Sequence, residues 1–170
     1  MVFLEESRHA LAAEGGAHAP ARSPGLSSRL ALSGCAMITG IGNDIVEVSR
    51  VEGETARLGP EFLQQVFTPA EIEYCERRRR KYESYAARFA AKEAFLKALG
   101  TGGRDGITWQ EIEIVLDGRG RPDLALRGRA KELADERGVT GVHVSLSHSR
   151  ELAAAVVVLE AGGESSDTSG

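Results

Sequence analysis

Residues 142–160, VHVSLSHSRELAAAVVVLE, decide the fold class. Val142, Val144 and Leu146 alternate with His143, Ser145 and Ser147, the period-two pattern of a half-buried strand. Leu152–Leu159 is a second apolar run, and a turn through Ser149 and Arg150 joins the two. So short a turn predicts an antiparallel hairpin. Moving upstream, Arg127–Arg137 reads as a helix with Gly138 after its end. Gln110–Leu116 alternates Ile112, Ile114 and Leu116 with Glu111 and Glu113, and Leu124–Leu126 returns after the turn Asp117–Pro122. Ser84–Leu99 is rich in strong helix formers and stops at Gly100. Thr68-Pro69-Ala70-Glu71 is a capping-box signature that opens a short helix to about Arg78. Ile38–Ile45 reads as a strand in which Gly40 and Gly42 admit a close backbone, and Val46–Leu58 as a helix stopped by Gly59 and Pro60. The sum is a single α+β domain: a mostly antiparallel sheet with a long helix packed on it.

The chain's 170 residues, 42% hydrophobic and 27% charged, are those of an ordinary globular protein able to bury a core without staples. Residues 1–36 lack regular patterning after Ala13, and the tail after Glu160 carries no core residues. The expected organisation is therefore a disordered upstream extension or a wrongly chosen start over 1–36, a domain over 37–160 beginning at Met37, and a loose tail over 161–170. A targeting peptide is the rival reading of the extension, weakened by Glu5, Glu6 and Glu14. A net charge of −4 argues against a generic nucleic-acid binder, although Arg77–Arg80 and Lys81 form one basic run. No apolar stretch approaches the roughly 18–20 residues of a spanning helix. Cys35 and Cys75 have no paired spacing and read as free thiols. The expected location is the cytoplasm.

Chemistry is concentrated in two places. Asp44 lies where the Gly-containing strand passes toward a helix; it either caps that helix or serves as a ligand for a hard cation such as Mg²⁺. On the long helix, Glu93 shares a face with Phe89 and Leu96, and Lys97 lies one turn on. Glu93 and Lys97 suit an exposed i,i+4 pair, but a carboxylate on an apolar stripe needs a partner, a cation or a proton. A metal shared with Asp44 supplies one, and Arg88, Lys92 and Lys97 around it suit a polyanionic ligand. The glycine-rich segment Gly100–Gly106 follows a helix and lacks both nucleotide fingerprints, so it reads as a helix stop. His143 and His148 are five apart on a strand, face opposite ways and make a poor metal pair.

Four blocks, GIGNDIVEVSR (40–50), RFAAKEAFLKALGTG (88–102), GRPDLAL (120–126) and HVSLSHSRELAAAVVV (143–158), resemble the holo-acyl-carrier-protein synthases of bacteria in order and spacing. The resemblance spans Met37 to about Glu160, departs modestly at Asn43 and matches poorly over Arg57–Arg78. It implies a 4′-phosphopantetheinyl transferase that uses Mg²⁺ to move phosphopantetheine from coenzyme A to a serine of apo-acyl carrier protein. It also implies a homotrimer with active sites between subunits. Asp44 and Glu93 match the family's metal ligands, and in that reaction the Lys97 ammonium offsets charge on the departing bisphosphate. Arg88, Lys97 and His148 match positions that meet the coenzyme's phosphates and nucleotide. Gly120 and Pro122 match its coenzyme-side loop, and His143 a position close to the site. Either a metal-held water or Glu93 takes the serine proton. Arg50 and Arg57 share a face of the first helix, where the family docks its acidic carrier, and the basic run at 77–81 steers that partner. A non-catalytic module that binds a nucleotide or carrier protein is the alternative.

Overall fold

The computed structural model describes residues 36–101 and 104–162. The readings placed on the extension before Ala36, on Gly102 and Gly103 and on the tail after Gly162 lie outside the described residues. In chain order the elements are β1 (Met37–Glu47), α1 (Val48–Leu58), α2 (Pro60–Val66), α3 (Pro69–Glu76), α4 (Lys81–Leu99), β2 (Ile112–Leu116), β3 (Pro122–Leu126), α5 (Gly128–Glu136), β4 (Val139–His148) and β5 (Leu152–Ala161). Short 3₁₀ turns occupy Arg104–Gly106 and Trp109–Glu111.

The expected hairpin is β4–β5, and β5 is the centre of a sheet ordered β1-β5-β4 with both pairings antiparallel. β2 and β3 form a separate antiparallel pair. The helix α4 lies across one face of the three-stranded sheet, against β1 and β5. Alanines make this possible: Ala90 and Ala94 of α4 and Ala153 and Ala155 of β5 are buried, with Phe95, Val157 and Leu159 filling the space between. A fully buried Phe95 contributes on the order of 2–3 kcal/mol over an exposed one. The close approach expected at the glycines of β1 is real. A Cβ at Gly40 would fall 2.2 Å from the Ala98 carbonyl oxygen, and one at Gly42 would fall 2.1 Å from that of Ala94.

Several boundaries differ from expectation, β4 among them beginning at Val139, and three of the differences have plain physical reasons. β1 runs on to Glu47 because Asp44–Glu47 continue to pair with Ala155–Leu152 of β5. Pro60 does not only end α1; it stands at the start of α2, which buries Phe62, Leu63 and Val66. α4 begins at Lys81, earlier than Ser84, and is enclosed on almost every side. The capping box at α3 is present, with Thr68 Oγ1 accepting from the Glu71 amide and Glu71 Oε2 accepting from that of Thr68 at 2.9 Å. Among the described residues no helix is long and apolar enough to cross a membrane, and Cys75 is a buried free thiol.

Candidate active site

Asp44 stands within β1, opposite Ala155, on the side of the strand that meets α4. It does not cap α1, whose N-cap is Glu47 and makes no side-chain cap bond. From α4, Lys97 reaches across the strand–helix seam, its Nζ donating to Asp44 Oδ1 at 2.7 Å. Partial burial pushes the Asp44 pKa up from the usual carboxylate range, against the opposing pull of Lys97. Glu93 lies one turn before Lys97, half-buried between the buried Phe89 and Leu96. Lys97 therefore joins the two carboxylate-bearing elements at one place. The glycine contacts explain the geometry: only without a Cβ at Gly42 does the strand come near enough to α4 for this pairing.

Among the described residues no three His, Cys, Asp or Glu side chains form a metal cluster. A pair of hard oxygen donors does not make a four-ligand zinc site. It fits Mg²⁺, which takes one or two carboxylates and fills its octahedron with waters and phosphate oxygens.

Arg88 is 4% exposed. Its guanidinium carbon lies 3.9 Å from the centre of the Tyr74 ring, Nη1 is 3.4 Å from the Ser84 carbonyl, and Nε has no hydrogen-bond partner. Lys92, expected beside the ligand, is instead wholly buried in the core. It donates to Glu71 Oε2 at 2.8 Å and to the carbonyls of Val66 and Trp109 at 2.9 Å each. Because α4 is enclosed on nearly all sides, the face one turn beyond Arg88 points inward.

His148 ends β4, and its Nδ1 lies 3.3 Å from Glu83 Oε2, while Arg80 Nη1 lies 3.4 Å from Glu83 Oε1. Glu83 thus joins the hairpin to the basic run. It also lines a cleft of about 340 Å³ whose cationic wall is Arg78–Lys81 and Arg150. Sequence reading missed Glu83 and Arg150, since an acid in a first helical turn and an arginine in a hairpin turn carry no local mark; only the fold brings them together.

The remaining candidates lie elsewhere. His143 is exposed, with Nε2 3.0 Å from Glu160 Oε2. With Pro122 it lines a second cleft of about 280 Å³ between β4 and the β2–β3 turn. Asp117 Oδ1 holds that turn by accepting from the amides of Arg119 and Arg121, bonds that keep its carboxyl below the usual range. Gly120 occupies the turn at φ 82°, a conformation that favours glycine. The five residues from His143 to His148 span roughly 17 Å along the strand, and the two side chains leave opposite faces. So the structure brings Asp44 and Lys97 together, and Pro122 and His143 together, as two separate groups. Arg50 and Arg57 are exposed on α1, where Arg57 pairs with Glu54.

The fold and the carboxylate-bearing strand–helix seam define a class: the chain belongs to the 4′-phosphopantetheinyl transferase superfamily, whose family model matches residues 40–157. Within that class its similarity is to holo-[acyl-carrier-protein] synthases. The one from Syntrophus aciditrophicus (strain SB) is 52% identical over 124 residues, which are 73% of this chain and 97% of the relative. The crystal structure of the Neisseria meningitidis synthase aligns at a TM-score of 0.66 and 35% identity, over 72% of this chain and 98% of that one. That of Bacillus anthracis str. Ames, in complex with CoA (3′,5′-ADP), aligns at 0.60 and 38% identity over 74% and 99%. The family, the α+β fold and the transferase activity expected from the four sequence blocks are borne out.

Proposed function

We propose that this chain attaches the 4′-phosphopantetheine arm of coenzyme A to a serine of an apo-acyl carrier protein and releases 3′,5′-adenosine bisphosphate. The Lys97–Asp44 contact beside Glu93 carries the assignment of the reacting centre. The serine oxygen attacks the β-phosphorus of the coenzyme, and the bond from that phosphorus to the bridging oxygen breaks. Phosphoryl-type transfer asks chiefly for positioning and for neutralisation of charge. Asp44 and Glu93 would hold Mg²⁺, which when bound would supply neutralisation of phosphate charge and polarisation of the phosphorus. Lys97 offsets negative charge on the departing bisphosphate. Glu93 is this chain's own candidate for taking the serine proton.

The cleft walled by Arg78–Lys81 and Arg150, joined to His148 through Glu83, supports a place for the coenzyme's phosphates and nucleotide, with Arg88 linked to its wall through the Tyr74 ring shared with Arg78. Arg50 and Arg57 form the exposed basic face of α1 for the acidic carrier protein. Two observations support a homotrimer with shared sites. The sheet face turned away from α4 exposes Ile41 (65%), Ile45 (62%) and Val156 (44%), which is apolar area in want of a cover. Gly120, Pro122 and His143 stand apart from the Asp44 of their own chain, so they serve the site of a neighbouring copy. The cytoplasm is the place for this chemistry, where coenzyme A and carrier proteins meet.

The test is the intact mass of an apo-acyl carrier protein after incubation with the chain, coenzyme A and Mg²⁺. A gain of one phosphopantetheine is expected, lost with EDTA, with Asp44→Ala and with Glu93→Ala. No gain across several carrier proteins would overturn the transferase reading in favour of a binding module. A gain that survives both substitutions would keep the reaction and remove the metal site.

A further inference from the structure

Tyr74 of α3 carries two guanidinium groups on one ring. Arg78 lies 4.3 Å and Arg88 3.9 Å from the ring centre. These arginines come from different places: Arg88 from the buried length of α4, Arg78 from the basic wall of the 340 Å³ cleft. Among the described residues neither has a carboxylate within ion-pair distance, although Glu73 and Glu76 flank Tyr74 in sequence. Glu73 is engaged by Arg77, and Glu76 by Lys81 and the Tyr85 hydroxyl. Arg88 is the sharper case. A guanidinium that is 4% exposed, with Nε unpartnered and one long bond to a helix carbonyl, has the ring face as its principal contact. A buried charge without a counter-ion is unfavourable unless something else meets it. The Tyr74 ring face offsets part of that.

We propose that Tyr74 is a positioning residue for coenzyme A: it stacks Arg78 and Arg88 together and so sets the cationic end of the coenzyme cleft. This rests on the proposed function, because it takes the ligand of that cleft to be the phosphates of coenzyme A. The ring, not the hydroxyl, does the positioning, since both arginines lie over the ring. The two cations repel each other when the cleft is empty and are relieved by an anion, so the contribution of Tyr74 falls on binding and not on the chemical step.

The experiment uses the full chain with coenzyme A, apo-acyl carrier protein and Mg²⁺, comparing Tyr74→Leu and Tyr74→Phe with the parent. Coenzyme A binding is measured by calorimetry alongside steady-state transfer. Tyr74→Leu is expected to raise both the KM and the Kd for coenzyme A about tenfold, with kcat within about twofold of the parent. Tyr74→Phe is expected to stay within about twofold in all three, because it keeps the ring. Unchanged coenzyme A binding in Tyr74→Leu would overturn the positioning role while leaving the transferase standing. Equal loss of kcat in both variants would overturn it too, since that pattern belongs to general damage. A parent that binds no coenzyme A would overturn the proposed function and this role together. Should Tyr74→Leu fail to fold, Tyr74→Met is measured in its place: the role stands if coenzyme A binding weakens about tenfold with kcat kept, and falls if binding is unchanged.

Discussion

Lys92 Nζ lies 2.8 Å from Glu71 Oε2, and both side chains are wholly excluded from water. The carboxylate also accepts from the Thr68 and Ile114 amides at 2.9 and 3.0 Å, while the ammonium's other protons go to the carbonyls of Val66 and Trp109. One ion pair therefore ties α2, α3, α4, β2 and the 3₁₀ turn at Trp109 to one another. Burial pulls the Lys92 pKa down, and the attraction of Glu71 opposes it. Removing one partner leaves the other charge buried and uncompensated. Lys92→Met is expected to cost about 3–5 kcal/mol in stability, read from the urea midpoint. Glu71→Gln with Lys92→Met is expected to recover part of that loss. A single substitution within about 1 kcal/mol of the parent would show that the pair does not organise the core.

Cys75, beside this network, gives a prediction for the pH dependence of stability. Burial pushes its thiol pKa from 9.0 up to about 12. Between those values the folded chain keeps a proton that the unfolded chain has lost, so stability falls as pH rises through the window. Cys75→Ala lacks this dependence. The parent is expected to lose about 1.4 kcal/mol relative to Cys75→Ala between pH 8 and pH 10, measured by chemical denaturation at each pH. In a Cys35→Ser background, a thiol reagent at pH 8 is expected to label Cys75 only as fast as the protein opens.

These two residues mark the limit of what the sequence conveys. The capping box at Thr68–Glu71 is legible because it is local: two side chains and two amides within four residues. That the same Glu71 also serves as counter-ion to a lysine on another helix is tertiary and leaves no spacing to read. From sequence Lys92 reads as part of a ligand surface because the nearly enclosed α4 has no broad solvent face to give its orientation away. From sequence Asp44 reads equally as a cap or as a ligand for a similar reason. Whether a strand ends at Ile45 or runs on to Glu47 depends on β5, more than a hundred residues downstream. The strand and hairpin periodicities, by contrast, depend only on near neighbours, and with the glycines of β1 they carried the fold.

Gly42 tests the seam between β1 and α4. A methyl group there meets the Ala94 carbonyl oxygen at 2.1 Å and the Ala98 nitrogen at 2.5 Å, both backbone atoms that no rotamer change can move. Strand and helix must separate, and the 2.7 Å Lys97–Asp44 contact opens with them. Gly42→Ala is expected to cost about 1–3 kcal/mol of stability, as overpacking does, and to lower transfer more than about tenfold even where the protein stays folded. The checks are thermal denaturation and the carrier-protein mass assay on the same preparation. Gly53→Ala, whose added methyl meets nothing within 4 Å, is the matched control and should lose neither.

The separation of Pro122 and His143 from Asp44 yields the most discriminating test of a shared site. If one copy supplies Asp44 and a neighbour supplies the turn at Gly120, two chains inactive for different reasons can repair each other. Asp44→Ala removes one half. Gly120→Asp damages the other, since its φ of 82° strains any side chain and a carboxylate there repels phosphate. Each variant alone is expected to be inactive in the mass assay. Co-expressed at equal levels and mixed at random in a closed ring, they bring an intact Asp44 against an intact Gly120 at about one quarter of the interfaces. Activity near that fraction of the parent is the expected result. Ile45→Lys, which places a charge on the exposed sheet face, should convert the assembly to monomers in sedimentation and abolish the recovery. No recovery from a mixture that sediments as an oligomer would mean that each site is built within one chain, and that the turn at Gly120 reaches the coenzyme of its own Asp44.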